Sequence, residues 1–213
     1  MLGRTRDDAA GEAFDKIARA TGLGYPGGPK LEASAAGGDP ETVRFPRTSF
    51  KDGSYDFSFS GVKTAAINYY KKEQAALGGT AATVPDVFMK NFYASYQAAI
   101  VDALATNTMA AEKTAGTGKI VVAGGVAANG ALRAKFYAAA NNASAGASDS
   151  AHPGAAKNAR PAGDDAAGRI KIYFPPPALC TDNAAMVAAK AYYDYAAGAF
   201  SPLTLNASPT AAL

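Results

Sequence analysis

Residues 119–140 read KIVVAGGVAANGALRAKFYAAA, and this stretch limits the possible folds more than any other. Ile120, Val121 and Val122 in succession predict a short buried strand over residues 119–123. Gly124 and Gly125 predict a tight turn, and a helix is expected to start near Asn129 or Gly130. Strand, glycine turn and helix in that order aim backbone N–H groups and a helix dipole at an anion or nucleotide. A turn of this kind serves equally well to pack a helix on a sheet.

The rest of the chain reads as helices around a second short strand. A helix to about Thr21 is expected, capped by Asp7 or Asp8, striped by Phe14, Ile17 and Ala18 and ended by Gly22 and Gly24. The segment GLGYPGGPKLE is predicted to be loop from its glycines and prolines, and residues 33–58 are polar and turn-rich. A helix over 62–76 stops at Gly78 and Gly79. Pro85 suits the first turn of a long helix to about Lys113, with Val84, Phe88, Phe92, Ala99, Ile100, Ala103 and Leu104 at helical spacing. Residues 171–174 form the second strand, stopped by Pro175, Pro176 and Pro177. Asp182 opens a last helix to about Ala197, closed by Gly198. The pattern is α/β.

Composition matters at one point, the supply of core side chains. The chain has 52 alanines, whereas Leu, Ile, Val and Phe together number 35 of 213. That is short of the roughly 20% expected of a well-filled core. A net charge of +3 nevertheless argues against wholesale disorder. Residues 141–168 are Ala, Ser, Asn, Gly and Asp with almost nothing bulky, and are expected to be a disordered insertion. Residues 201–213 read as a loose tail. The charged start at Arg4, Arg6, Asp7 and Asp8 does not read as a signal peptide, and no apolar run is long enough to span a membrane, so a cytoplasmic location is expected. One cysteine, Cys180, allows neither an internal disulfide nor a Cys-rich zinc site.

The only histidine is His152, within the low-complexity stretch, which speaks against a Ser-His-Asp or Cys-His centre. Cys180 reads as a small packing residue, although its place before a helix could lower its pKa. In GGVAANG the glycines let a ligand approach the backbone, and Asn129 could hydrogen-bond a base or ribose. Asp182, between Thr181 and Asn183, reads either as a helix cap or as a metal ligand at the mouth of a cleft, and spacing favours the cap. Asp15, turned away from the Phe14 and Ile17 stripe, and Glu32, after the glycine-rich loop, read as solvated charges.

Four segments taken together are more specific. DDAAGEAFDKIARATGLGYPGGPKLE, FPR followed by DFSFSGVKTA, VVAGGVAANGALRAKF and CTDNAAMVA resemble, in order and spacing, the tRNA N6-adenosine threonylcarbamoyltransferase family (TsaD, also called the glycoprotease family). The resemblance runs from about Arg4 to about Gly198, apart from the Ala/Ser insertion. It implies an actin-like ATPase fold of the sugar kinase and actin superfamily, two α/β lobes around a nucleotide cleft. It also implies transfer of a threonylcarbamoyl group from threonylcarbamoyl-AMP to N6 of adenosine 37 in tRNAs reading ANN codons, with the other subunits of that modification machinery as partners. By the same resemblance Asp15 and Glu32 match ribose-binding positions, Gly28 a glycine lining the pocket, and Asn129 the nucleotide-binding asparagine. Asp182 matches the carboxylate ligand of a divalent metal, iron or zinc.

Family members also carry an N-terminal lobe with a His-x-x-x-His pair and a Ser-Gly-Gly-His-Thr loop, and neither motif occurs in these 213 residues. The chain is therefore expected to be a C-terminal lobe, residues 1–140 and 169–200, with a returning C-terminal helix. On this reading its metal site is incomplete and it is inactive alone. A non-catalytic remnant or actin-like partner protein is the alternative expectation, and a sugar-kinase-like ATPase a weaker one.

Overall fold

The computed structural model describes residues 1–78, 84–146 and 170–206. The chain divides into two units, Met1–Cys180 and Thr181–Leu213. In the first unit the elements follow in the order α1 (Ala10–Ala20), α2 (Gly27–Ala35), α3 (Ser60–Ala76), α4 (Asp86–Ala115), β1 (Lys119–Val121), α5 (Gly130–Gly146) and β2 (Lys171–Tyr173). Short 3-10 turns cover Gly125–Ala128 and Pro177–Leu179. The second unit holds α6 (Ala184–Ala196). No helix among the described residues is long and apolar enough to cross a membrane.

Helix α4 is the spine of the first unit. Its 30 residues begin after Pro85 and end where Gly116 adopts the left-handed φ of 61° and donates to the Glu112 carbonyl at 2.7 Å. The spacing of apolar residues predicts one buried stripe, but Phe92, Tyr93, Ala94, Ser95 and Tyr96 are all buried in succession. At that level α4 is surrounded, because α1, α2 and α3 gather around its first half. Phe14, Ile17, Leu31, Val62, Phe92, Tyr96 and Ile100 belong to this cluster. A second cluster of Val101, Ala105, Ile120, Leu132 and Phe136 joins the later part of α4 to β1 and α5. β1 and β2 pair in parallel, Ile120 opposite Ile172, with α5 between them in sequence as parallel pairing requires.

Aromatic rings offset the scarcity of branched aliphatics. Phe45 lies edge-on to Tyr69, Phe92 and Tyr96 at 5.8–6.1 Å between centroids, and Phe88, Tyr69 and Phe92 stack on one another. The buried Tyr96 hydroxyl donates to the Ala13 carbonyl at 3.0 Å, so the ring is buried without an unpaired polar tip. Counting Leu, Ile, Val and Phe alone therefore understates the core, since tyrosines fill much of it.

Four expectations are corrected. The loop predicted over GLGYPGGPKLE ends in helix α2, which starts at Gly27 and tolerates Pro29 because a first-turn residue needs no intrahelical N–H bond. Neither Asp7 nor Asp8 caps α1. Asp7 instead caps α3, accepting from the Phe59 and Ser60 N–H groups at 2.8 and 3.3 Å. The side-chain cap of α6 is Asn183, not Asp182, with Asn183 Oδ1 accepting from the Met186 N–H at 3.0 Å. Helix α5 continues to Gly146, so 141–146 are helical rather than part of a disordered insertion. Residues 147–168 of that expected insertion, with His152, and most of the expected tail, 207–213, lie outside the described residues.

Candidate functional site

Two helix N-termini in the first unit are each met by a carboxylate from another element. Asp15, on α1, is half-buried, and its Oδ1 accepts from the Gly27 N–H at the start of α2 at 2.7 Å. Glu32, one and a half turns along α2, sends Oε1 to the Gly130 N–H at the start of α5, also at 2.7 Å. A negative oxygen is stabilised at a helix N-terminus by the unsatisfied N–H groups and the dipole. The solvated-charge reading of both residues is thus overturned, because each accepts a hydrogen bond from a backbone N–H of another helix. Among the described residues each carboxylate is engaged through one oxygen, which leaves the other able to accept from a hydroxyl.

Asn129 closes the group. It is 7% exposed and forms the N-cap of α5, its Oδ1 accepting from the Leu132 N–H at 2.9 Å. Its Nδ2 donates to Gln97 Oε1, on α4, at 2.8 Å. The turn before it depends on Gly124, whose φ of 92° is costly for a residue with a Cβ. Gly28 is half-buried, and a Cβ there would meet nothing within 4 Å. Its neighbour Gly27 differs: a Cβ would lie 2.6 Å from Asp15 Cα and 2.8 Å from Ala18 Cβ. Gly27 is what lets the start of α2 approach α1 closely enough for Asp15 to cap it. The structure thus links Asp15, Gly28, Glu32 and Asn129 through α2 and its two capped contacts.

Two flanking networks hold this group. Asp7 gathers Ser58 Oγ, Ser60 Oγ and the Phe59 and Ser60 N–H groups. Loss of some hydration alone would raise its pKa, but the bonds from Ser58, Phe59 and Ser60 outweigh it and hold the carboxyl at about 2. Asp8 is held below the carboxylate range by Lys16 and Lys63. These contacts join the start of DDAAGEAFDK to DFSFSGVKTA, two segments that are some fifty residues apart in sequence. At the other side Arg133, in the first turns of α5, donates from Nε to the Ala127 carbonyl at 2.7 Å. Its Nη2 donates to the Pro175 carbonyl at 2.6 Å and to Cys180 Sγ at 3.3 Å. Cys180 is 4% exposed and packs there, as a small buried residue does.

Asp182 belongs to the second unit, where it is exposed in the bend before α6. Among the described residues no group of three or more His, Cys, Asp and Glu side chains gathers so as to hold a metal ion. A transition metal takes about three or more protein ligands, so the described residues do not fit one by themselves. Sequence reasoning missed Gly27, Gln97 and Arg133. Gln97 carried one signal, as an amide beside the apolar run Phe92–Tyr96 of a buried helix. Nothing in the sequence marked Gly27 off from Gly28.

Comparison with known proteins bears on the same segments. The family profile described as "TsaD: tRNA N6-adenosine threonylcarbamoyltransferase" matches residues 1–189. A protein of Symbiobacterium thermophilum named "tRNA N6-adenosine threonylcarbamoyltransferase" is 44% identical over 209 residues, 98% of this chain and 51% of its own length. Proteins of the same name from Clostridium beijerinckii and Kosmotoga olearia are 43% and 44% identical, again over 98% of this chain and 52% of their own length. The chain thus spans about half the length of the relatives it matches. With a profile match over most of its residues and segments in the family's order, the chain belongs to the tRNA N6-adenosine threonylcarbamoyltransferase family.

Proposed function

We propose that the first unit is a nucleotide-binding lobe of an actin-like ATPase fold, and that it serves transfer of a threonylcarbamoyl group from threonylcarbamoyl-AMP to N6 of adenosine 37 in tRNAs reading ANN codons. The observation that carries this reading is the linkage of Asp15, Glu32 and Asn129 across three helices. Two carboxylates held by helix N-termini can accept from the two ribose hydroxyls of an adenylate. The half-buried Gly28 leaves room for the sugar, and the Asn129 amide can pair with the base or ribose. Such a site would act by positioning, bringing the exocyclic amine of the adenosine in line with the carbamoyl carbon while AMP departs. Nothing in the described residues is placed as a protein nucleophile.

The segments in family order support a C-terminal position for this chain within the family's length, with α6 as the returning helix. Asp182 would then be one ligand of a divalent metal, iron or zinc, which would polarise substrate oxygens when bound. One carboxylate alone does not hold such an ion. The remaining ligands would come from a polypeptide covering the other half of the relatives' length, together with the other subunits of the modification machinery.

The test is formation of threonylcarbamoyladenosine in tRNA, read by mass spectrometry of the nucleosides. This chain alone should give none. The chain combined with a polypeptide spanning the N-terminal half of a relative should give it. Product from the purified chain alone would overturn the dependence on a second half. Failure of the folded, nucleotide-bound combination would favour the non-catalytic reading.

A further inference from the structure

We propose that Gln97 is a positioning residue, fixing the direction in which Asn129 presents its side-chain amide to the nucleotide. The inference rests on the reading of Asn129 as a nucleotide contact and adds a residue outside the four family segments.

An asparagine amide is nearly symmetric in shape, and what decides which end points where is its set of partners. Asn129 Oδ1 faces a donor, the Leu132 N–H at 2.9 Å, and Nδ2 faces an acceptor, Gln97 Oε1 at 2.8 Å. Reversing the amide would set its NH2 against the Leu132 N–H, so Oδ1 stays on that donor and Nδ2 is the end that Gln97 holds. With Asn129 only 7% exposed, little water is at hand to relieve such a mismatch. The Leu132 bond alone is a cap that an oxygen in several rotamers can make, so the second bond, from α4, is what removes the remaining freedom. α4 is a rigid source for it. Tyr96, the residue before Gln97, is fully buried and donates to α1, while Ala99 and Ile100 are buried in the same turn. Once both bonds are made, Asn129 keeps one N–H and one lone pair whose directions are set before any ligand arrives. Gln97 itself needs only to accept, so a carboxylate at position 97 satisfies the same role and an apolar side chain of similar length does not.

The experiment compares Gln97→Met and Gln97→Glu with the wild-type full chain in two measurements. The first is the side-chain NH2 signal of Asn129 by NMR, assigned through Asn129→Ala. In wild type the two protons should be well separated and slow to exchange with water. Gln97→Met should move both protons toward their free-amide shifts and speed exchange, and Gln97→Glu should keep the wild-type shifts and slow exchange. The second is affinity for AMP by calorimetry. Gln97→Met should weaken it by about threefold to tenfold, the size of one hydrogen bond's net contribution. Gln97→Glu should restore most of it, and Gln97→Met should add nothing in an Asn129→Ala background. An Asn129 signal in Gln97→Met like that of wild type, or an equal loss in Gln97→Glu, would overturn the proposal. Should Gln97→Met fail to fold, Gln97→Glu decides: a free-amide Asn129 signal in that folded variant also overturns it. AMP binding unchanged in Asn129→Ala would instead overturn the nucleotide reading of Asn129, leaving the NMR result to decide the role of Gln97.

Discussion

Helices α1–α4 and helix α6 are built from similar material, alanine-rich sequence with scattered tyrosines, yet they stand on different physics. In the first unit the bulky residues fall where four helices converge, and Phe14, Phe92, Tyr96 and Ile100 are buried to within 2%. In the second unit, taken by itself, α6 buries none of its described side chains, and Met186, Val187, Tyr192, Tyr193 and Tyr195 are exposed. That helix rests on alanine's intrinsic propensity, the Asn183 cap and an i,i+4 pair between Lys190 and Asp194. Propensity and capping can produce a helix, but most helical stability in proteins comes from packing an apolar face.

The sharpest way to break the contrast is Phe92→Ala. It empties the centre of the ring cluster formed with Phe45, Tyr69, Tyr70, Phe88 and Tyr93. A loss of about 3–5 kcal/mol in the first unit is expected, measured by denaturant unfolding. Gly27→Ala should cost about 1–3 kcal/mol, because the new methyl must push α1 and α2 apart. Gly28→Ala, with open space around it, should leave stability unchanged or raise it slightly. Equal losses at the two glycines would show that the close approach of α1 and α2 is not what Gly27 serves.

Acid tests the polar side of the same body. Asp7 has its pKa lowered to about 2 in the fold, against about 3.9 for an unfolded aspartate. Its contribution is therefore fully present above about pH 4 and lost as pH falls through about 2. Asp7→Asn should cost about 1–2 kcal/mol at neutral pH, as loss of a strong helix cap does, and should flatten stability across that acid window. A variant that keeps the wild-type slope there would assign the acid sensitivity to other carboxylates. The smallest effect is expected at α6. Asn183→Ala should fray that helix by about 1 kcal/mol or less, seen as faster amide exchange at its N-terminal residues, with the unfolding midpoint of the first unit unmoved.

Where local chemistry decides the outcome, the residues were legible in advance. Pro85 and the phenylalanine spacing marked α4, Gly124 marked the turn, and three consecutive β-branched residues marked β1. The four family segments marked the family; the roles of Asp15, Gly28, Glu32 and Asn129 as site positions are what the resemblance proposes. The failures share a cause. A glycine-proline run reads as loop from composition, and the helix that starts at Gly27 shows only in the fold, where Gly27 packs tightly against Asp15 and Ala18. Asp7 is a good cap by type, but the helix it caps begins some fifty residues away.

Local patterning, which acts over a few residues through sterics and hydrogen-bond chemistry, was enough to mark α1, α3, α4, α5, α6, the short strands and the membership of the chain in its family, but not α2. The convergence of α1–α4, the pairing of Glu32 with Gly130 across 98 positions and the bond that holds the Asn129 amide against Gln97 were not contained in any local pattern. They depend on which helix faces which, and that is set by how the ring cluster and the close glycine contact pack together.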